Sequence, residues 1–193
     1  MNQKSPLVSI LTPVYNGADY IAECIKSVQK QTYQNYEYII VNNCSTDGTL
    51  DIARRYAEQD ARIRIHDNEQ FVGVIENHNI AFSLMSPRAK YCKVVSADDF
   101  IFPECVERMV ELAENDPNVG MVGTYLLAGK RVLCEGLDYE TQIINGREIS
   151  RATLLGGPYV FGSPTSLLYR CDLMRKTKAF YPHSNPHADT TAC

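Results

Sequence analysis

The chain has 193 residues, 45% of them hydrophobic and 22% charged, which suits a single domain with a sizeable core and leaves no room for a second full one. Nineteen basic residues against 23 acidic ones give a net charge of -4, which argues against a surface that coats nucleic acid, so any bound phosphate has to be met by local groups. The seven cysteines, Cys24, Cys44, Cys92, Cys105, Cys134, Cys171 and Cys193, form no CxxC pair, so they predict neither a zinc ribbon nor a disulfide framework but reduced thiols packed as small hydrophobes in a cytoplasmic protein.

The first apolar run, Leu7 to Leu11, is β-rich and is stopped by Pro13 and Asn16-Gly17. It is too short for a secretory core or a membrane span and predicts a buried strand followed by a loop. Ile21, Cys24, Ile25 and Val28 then recur at helical spacing between Ala18 and Lys30, and Tyr38 to Val41 predicts a second buried strand. A polar loop from Asn42 to Gly48 separates it from a helix marked by Leu50, Ala53, Tyr56 and Ala57. Alternation over Arg62 to His66 predicts a half-exposed third strand, and Gly73 punctuates the loop after it. A helix is expected from about Val74 to Met85, then a fourth strand, Tyr91 to Val95, that ends at Ser96-Ala97-Asp98-Asp99. Pro103 suits the start of the next helix.

This alternation, with connections too long for hairpins, predicts an α/β fold: a Rossmann-like, mainly parallel sheet with helices on both faces and its ligand beyond the carboxyl ends of the strands. After Val119 the pattern loosens. Met121 to Leu127 and Val132 to Cys134 flank Gly129 as an expected hairpin, Glu148 to Leu155 reads as helix, and Ser166 to Tyr169 as strand. The expectation is one domain over residues 1–193, with a ligand-binding half to residue 122 and a second half from 123. Asp189 to Cys193 resembles the first turn of a helix whose apolar face never arrives, so a natural end further along is expected.

Three loops hold the chemistry-bearing residues. Asp98 and Asp99 follow a buried strand and offer hard oxygen ligands to Mg²⁺ or Mn²⁺, although a loop with a capping Asp before Pro103 reads equally well on spacing alone. Asn42 to Thr49 is dense in donors and acceptors that suit a base edge; the same residues also read as a turn in which Ser45, Thr46 or Asp47 caps the helix near Thr49. Thr12, Pro13, Tyr15 and Asn16 after the first strand are equally open.

Taken together, VSILTPVYNGADYIAECIKSVQKQTY, YEYIIVNNCSTDGT, NEQFVGVIENHNIAF and KYCKVVSADD resemble, in order and spacing, the N-terminal half of family 2 glycosyltransferases with the GT-A fold. The likeness runs from about Pro6 to Val122 and continues more weakly through GSPTSLLYR. It implies that Thr12, Pro13 and Tyr15 frame a nucleotide base, that Asn43 stands where an acidic residue usually reads the uracil edge, and that Ser45 and Asn79 belong to the nucleotide-binding set. Asp98 is implied at the ribose or metal, Asp99 as the ligand of Mn²⁺ or Mg²⁺, and Asp189 as the catalytic base at a helix start, where a plain N-terminal carboxylate is the alternative.

Three positions depart from the family pattern. Asn42-Asn43 replaces the usual Asp pair, Ser96 replaces the first Asp of the metal motif, and His78 stands where an Arg is often found. The implied reaction is metal-assisted in-line displacement with inversion, from a UDP-type sugar donor to a saccharide, lipid-linked or protein acceptor, as in bacterial surface-polysaccharide assembly. A cytoplasmic enzyme, peripheral at the inner face of the membrane, is expected. The runner-up is a GT-A-like module that holds a nucleotide and transfers nothing. His183 and His187 are spaced like metal ligands, but Pro186 breaks any shared helical face, and a loop or acceptor-side role is expected.

Overall fold

In the computed structural model, residues 5–138 and 140–183 are described; His187 and Asp189 lie outside them. The strands are β1 (Val8–Val14), β2 (Tyr36–Asn42), β3 (Ile63–Asp67), β4 (Tyr91–Val94), β5 (Met121–Gly123), β6 (Leu126–Ala128), β7 (Arg131–Leu133) and β8 (Leu167–Arg170). The helices are α1 (Ile21–Gln29), α2 (Thr49–Ala57), α3 (Val74–Ser83), α4 (Cys105–Asn115), α5 (Gly146–Leu154) and the single turn α6 (Cys171–Met174).

Six strands form one sheet in the order β3-β2-β1-β4-β8-β5. The first four are parallel neighbours, and β8 runs antiparallel to both β4 and β5. The mainly parallel α/β sheet expected from the sequence is therefore present. Alternate side chains sort onto its two faces. Val8, Ile10, Tyr38 and Ile40 pack with Ile21, Cys24, Ile25 and Val28 of α1, Ala53 of α2 and Val106, Met109 and Val110 of α4. Leu11, Ile39, Val41, Cys92 and Val94 pack on the other face with Ala81 and Phe82 of α3 and with Cys171 and Met174 of α6. Each such Leu or Ile, buried from water, stabilises the fold by roughly 1.5–3 kcal/mol.

The chain runs from β1 outward to β2 and β3, then returns to place β4 on the other side of β1. This reversal makes the carboxyl ends of β1 and β4 a topological switch point, where an open α/β sheet leaves a crevice between diverging loops. Among the described residues no helix is long and apolar enough to cross a membrane.

Two expectations are corrected. β1 does not stop before Pro13 but continues to Val14, paired with β2 throughout. Leu11 accepts from Val95 N–H on the β4 side, so Pro13, two residues on, faces that same side after β4 has ended and no N–H is needed there. The span from Met121 to Leu127 is not one hairpin arm: β5 joins the main sheet through β8, while β6 and β7 alone form a separate antiparallel pair around Gly129.

Candidate functional site

The loops after β1 and β2 are fastened to each other before any ligand arrives. Asn16, in the left-handed region at φ 51°, donates its N–H to Ser45 Oγ over 2.9 Å and accepts from Thr46 N–H at 2.8 Å. Gly17 N–H donates to Thr49 Oγ1 over 2.8 Å and Ala18 N–H to Asp47 Oδ2 over 3.0 Å. A side chain on Gly17 would bring its Cβ within 2.8 Å of Val14 Cγ2, so the fold of this loop back onto the end of β1 favours glycine. Asp47 also accepts from Thr49 N–H at 3.0 Å at the start of α2. The Thr49 hydroxyl bond to Asp47 holds its carboxyl below the usual carboxylate range. The N-cap position of α2 is Gly48; of the candidates in this loop Asp47, one residue earlier, accepts from the first helical N–H, and Ser45 ties the loops together.

Thr12 is fully buried. Its hydroxyl donates to Val95 C=O over 2.8 Å, lies 2.9 Å from Tyr38 Oη and approaches Cys24 Sγ, so it sets the relative height of β1 and β4 from inside the core. Burial pushes the Cys24 thiol up to about 11, which keeps it protonated and inert. Tyr15 instead points outward, 49% exposed, with its ring edge-on to Phe71 at a centroid distance of 4.8 Å.

Asn43 is only 3% exposed and both ends of its carboxamide are engaged. Its Oδ1 accepts from Val72 N–H and from Asn68 Nδ2, both at 3.0 Å, and its Nδ2 donates to Val72 C=O over 2.8 Å. Asn68 extends the network to Asn77 Oδ1 at 3.0 Å, and Asn42 donates to Asp67 Oδ1 over 2.7 Å. An Asp pair at positions 42 and 43 would supply none of these donors. The departure at Asn42-Asn43 thus has a structural role: it holds residues 67–72, with Phe71 at the tip, against the edge of the sheet.

At the end of β4 the two carboxylates differ in their surroundings. Asp98 is exposed, whereas Asp99 is half-buried and accepts from Thr165 Oγ1 over 2.6 Å. The same hydroxyl accepts from Ser96 N–H at 3.0 Å and lies 3.2 Å from Ser96 Oγ. Thr165 sits in a single 3₁₀ turn, Pro164–Ser166, entered through Gly162 at φ +63°. The turn is fixed from below by Lys93, which is wholly buried in β4 and donates its ammonium to Thr165 C=O and, over 3.3 Å, to Leu167 C=O. Burial pulls the Lys93 ammonium down to about 8, against an opposing pull from anionic neighbours that include Asp99. Sequence reasoning passed over Lys93; the signal available was a lone charge inside the otherwise apolar run Tyr91 to Val95.

The donor set suits a hard divalent cation shared with a phosphate. No group of three or more His, Cys, Asp or Glu side chains converges among the described residues, so there is no all-protein cage. Two adjacent carboxylates, one of them oriented by a hydroxyl, are what Mg²⁺ or Mn²⁺ requires when a diphosphate completes its shell.

The remaining candidates fall elsewhere. Asn79 pairs with the Tyr181 backbone, donating to its C=O over 2.8 Å and accepting from its N–H over 3.0 Å, and so anchors the segment after α6. His78 Nδ1 lies 2.9 Å from Val74 C=O and its ring packs near Tyr181. His183 Nε2 stands 3.3 Å from Glu76, on the α3 side. The structure therefore brings Thr12, Pro13, Tyr15, Asn43, Ser45, Asp98 and Asp99 to the carboxyl end of the sheet, and puts Asn79 to work in packing.

The sequence profile of Glycosyl transferase family 2 matches residues 9–177. An uncharacterized glycosyltransferase of Haemophilus influenzae is 30% identical over 194 residues, covering 97% of this chain and 58% of that relative. Glycosyltransferase GlyG of Streptococcus pneumoniae is 33% identical over 63% of this chain and 40% of its own length. Among solved structures, S. aureus TarS 1-349 in complex with UDP superposes with a TM-score of 0.78 at 21% identity, over 96% of this chain and 53% of TarS. Mannosyltransferase PcManGT of Pyrobaculum calidifontis, in complex with GDP-Man and Mn²⁺, gives 0.71 at 19% identity, over 98% of this chain and 51% of that one. The chain thus spans between two fifths and three fifths of these relatives' lengths.

Proposed function

Because this chain belongs to glycosyl transferase family 2, we propose that it transfers a sugar from a nucleoside-diphosphate donor of the UDP type to a hydroxyl of a saccharide, lipid-linked or protein acceptor, with inversion. One observation carries the reading: exposed Asp98 and hydroxyl-held Asp99 stand together at the switch point between β1 and β4. Asp98 and Asp99 would hold Mg²⁺ or Mn²⁺, which neutralises the charge that builds on a departing nucleoside diphosphate.

The chain's own residues divide the rest of the work. Thr165 fixes one Asp99 oxygen and leaves the other to the cation. Tyr15 offers an exposed aromatic face for the base. The Asn43 carboxamide, now paired with the N–H and C=O of Val72, presents the acceptor and donor that match N3–H and C4=O of uracil; to use them the base displaces Val72. In the transfer itself the acceptor oxygen bonds to the anomeric carbon as the bond to the diphosphate oxygen breaks. The acceptor proton passes to a carboxylate, for which we propose Asp189, outside the described residues. Cytoplasmic transfer, at the inner face of the membrane where the acceptor is lipid-linked, completes the proposal.

Release of UDP from UDP-sugars, with Mn²⁺ and with EDTA, tests the reading in the intact chain and in Asp99→Asn. Metal-dependent release that falls by about a hundredfold in the variant is the expected result, since loss of a group acting on the departing charge costs on that order. Nucleotide binding without release from any donor would instead identify a module that holds a nucleotide without transferring.

A further inference from the structure

A cleft of about 740 Å³ opens between the β6–β7 hairpin and the approach to the Thr165 turn. Its volume lies within the usual span for small-molecule sites. Leu133 and Tyr159 give it apolar and aromatic walls, and Arg131, Glu135 and Ser163 its polar ones. Arg131 and Glu135 are both exposed, and neither side chain has an ion pair or hydrogen bond among the described residues. A guanidinium and a carboxylate thus line one concave surface, neither of them engaged among the described residues.

Resting on the donor reading above, we infer that this cleft is the acceptor subsite and that it takes a saccharide bearing a phosphate or carboxylate. Its position follows from the chain: Ser163 and Pro164 of its wall run directly into Thr165, whose hydroxyl holds Asp99. A sugar seated there lies across one 3₁₀ turn from the donor carboxylates. Its chemistry follows from the side chains. Arg131 presents a planar fork that bonds a carboxylate or phosphate bidentately. Glu135 accepts from sugar hydroxyls, and Tyr159 offers a face to the ring. The cleft is no second donor site, because its one carboxylate cannot share a cation with a diphosphate as the Asp98-Asp99 pair can.

Glucose 6-phosphate, glucuronic acid, glucose and inorganic phosphate are titrated into the isotope-labelled 193-residue chain and into Arg131→Ala and Arg131→Lys, with amide shifts recorded by nuclear magnetic resonance. The two anionic sugars should move the Leu133, Cys134 and Ser163 amides and bind about tenfold more tightly than glucose or phosphate alone, a preference lost in Arg131→Ala and partly kept in Arg131→Lys. An equal response to glucose, an equal response to inorganic phosphate, or an anion preference that survives Arg131→Ala overturns the assignment. The UDP response with Mn²⁺ is measured on the same samples and should be unchanged in Arg131→Ala. Its absence from the intact chain would count against the donor site, while the sugar titration decides the cleft.

Discussion

The Thr165 hydroxyl donates to Asp99 Oδ2 over 2.6 Å, joining residues 66 positions apart. This contact fastens the end of β4 to the turn before β8, and through that turn it couples the proposed cation ligand to the proposed acceptor cleft. Thr165→Val keeps the shape and removes the donor. Mn²⁺-dependent UDP affinity, measured by calorimetry, should fall by up to roughly 10- to 150-fold, the equivalent of about 1.5–3 kcal/mol for a hydrogen bond to a charged group. Thr165→Ser should retain it. Full affinity in Thr165→Val would show that Asp99 needs no such support.

Lys93 makes a pH prediction whose sign is fixed. Its ammonium titrates at about 8 in the folded chain, against an ordinary value of 10.5. Between these values the unfolded chain still holds a proton that the folded chain has released, so this residue's contribution to stability rises with pH, by about 3 kcal/mol in all. Cys24, raised to about 11 by burial, acts in the opposite sense above its ordinary range, so the comparison must be with Lys93→Met. In urea unfolding, the stability of the native chain relative to Lys93→Met should increase from pH 7.5 to pH 10. A constant difference would refute the assignment.

The Asn43 amide supplies a third test. Asn43→Asp preserves the acceptor for Val72 N–H but sets a carboxylate against Val72 C=O, where Nδ2 now donates. Thermal unfolding should report a loss of about 1–3 kcal/mol, the cost of a buried group left without its partner. An unchanged midpoint would mean that the segment carrying Phe71 is not held by this pair.

Gly162 is the fourth. At φ +63°, a Cβ there would meet Ser166 Oγ at 2.3 Å and Cys134 Sγ at 2.7 Å. Gly162→Ala should therefore destabilise by about 1–3 kcal/mol, combining left-handed strain with steric displacement, and should also weaken Mn²⁺-dependent UDP binding because the turn carries Thr165. Native-like stability and binding in calorimetry would contradict both halves.

Strand and helix order was legible because the buried runs are short, apolar and regularly spaced, as at Tyr38 to Val41 and at Ile21 to Val28. The placement of Asp98 and Asp99 followed from their position at the end of such a run. What was not legible depends on contacts distant in sequence. Pro13 reads as a strand stop unless one knows that its β4 neighbour has already ended. Nothing local announces the bonds that Thr12 makes to Tyr38 and Val95 or that Asn43 makes to Val72. Lys93 has no local reason to lie inside a buried strand until the carbonyls of Thr165 and Leu167 are brought over it. Asn79, expected at the nucleotide, is spent on the Tyr181 backbone, a pairing across 102 positions that no local pattern announces.

UDP binding to the 193-residue chain by isothermal calorimetry, in Mn²⁺ and in EDTA, for the native chain and for Asp99→Asn, tests the donor site most directly. The account predicts binding that requires Mn²⁺ and weakens at least about tenfold in Asp99→Asn. UDP binding that is equal in EDTA, indifferent to Asp99→Asn, or absent altogether would contradict it.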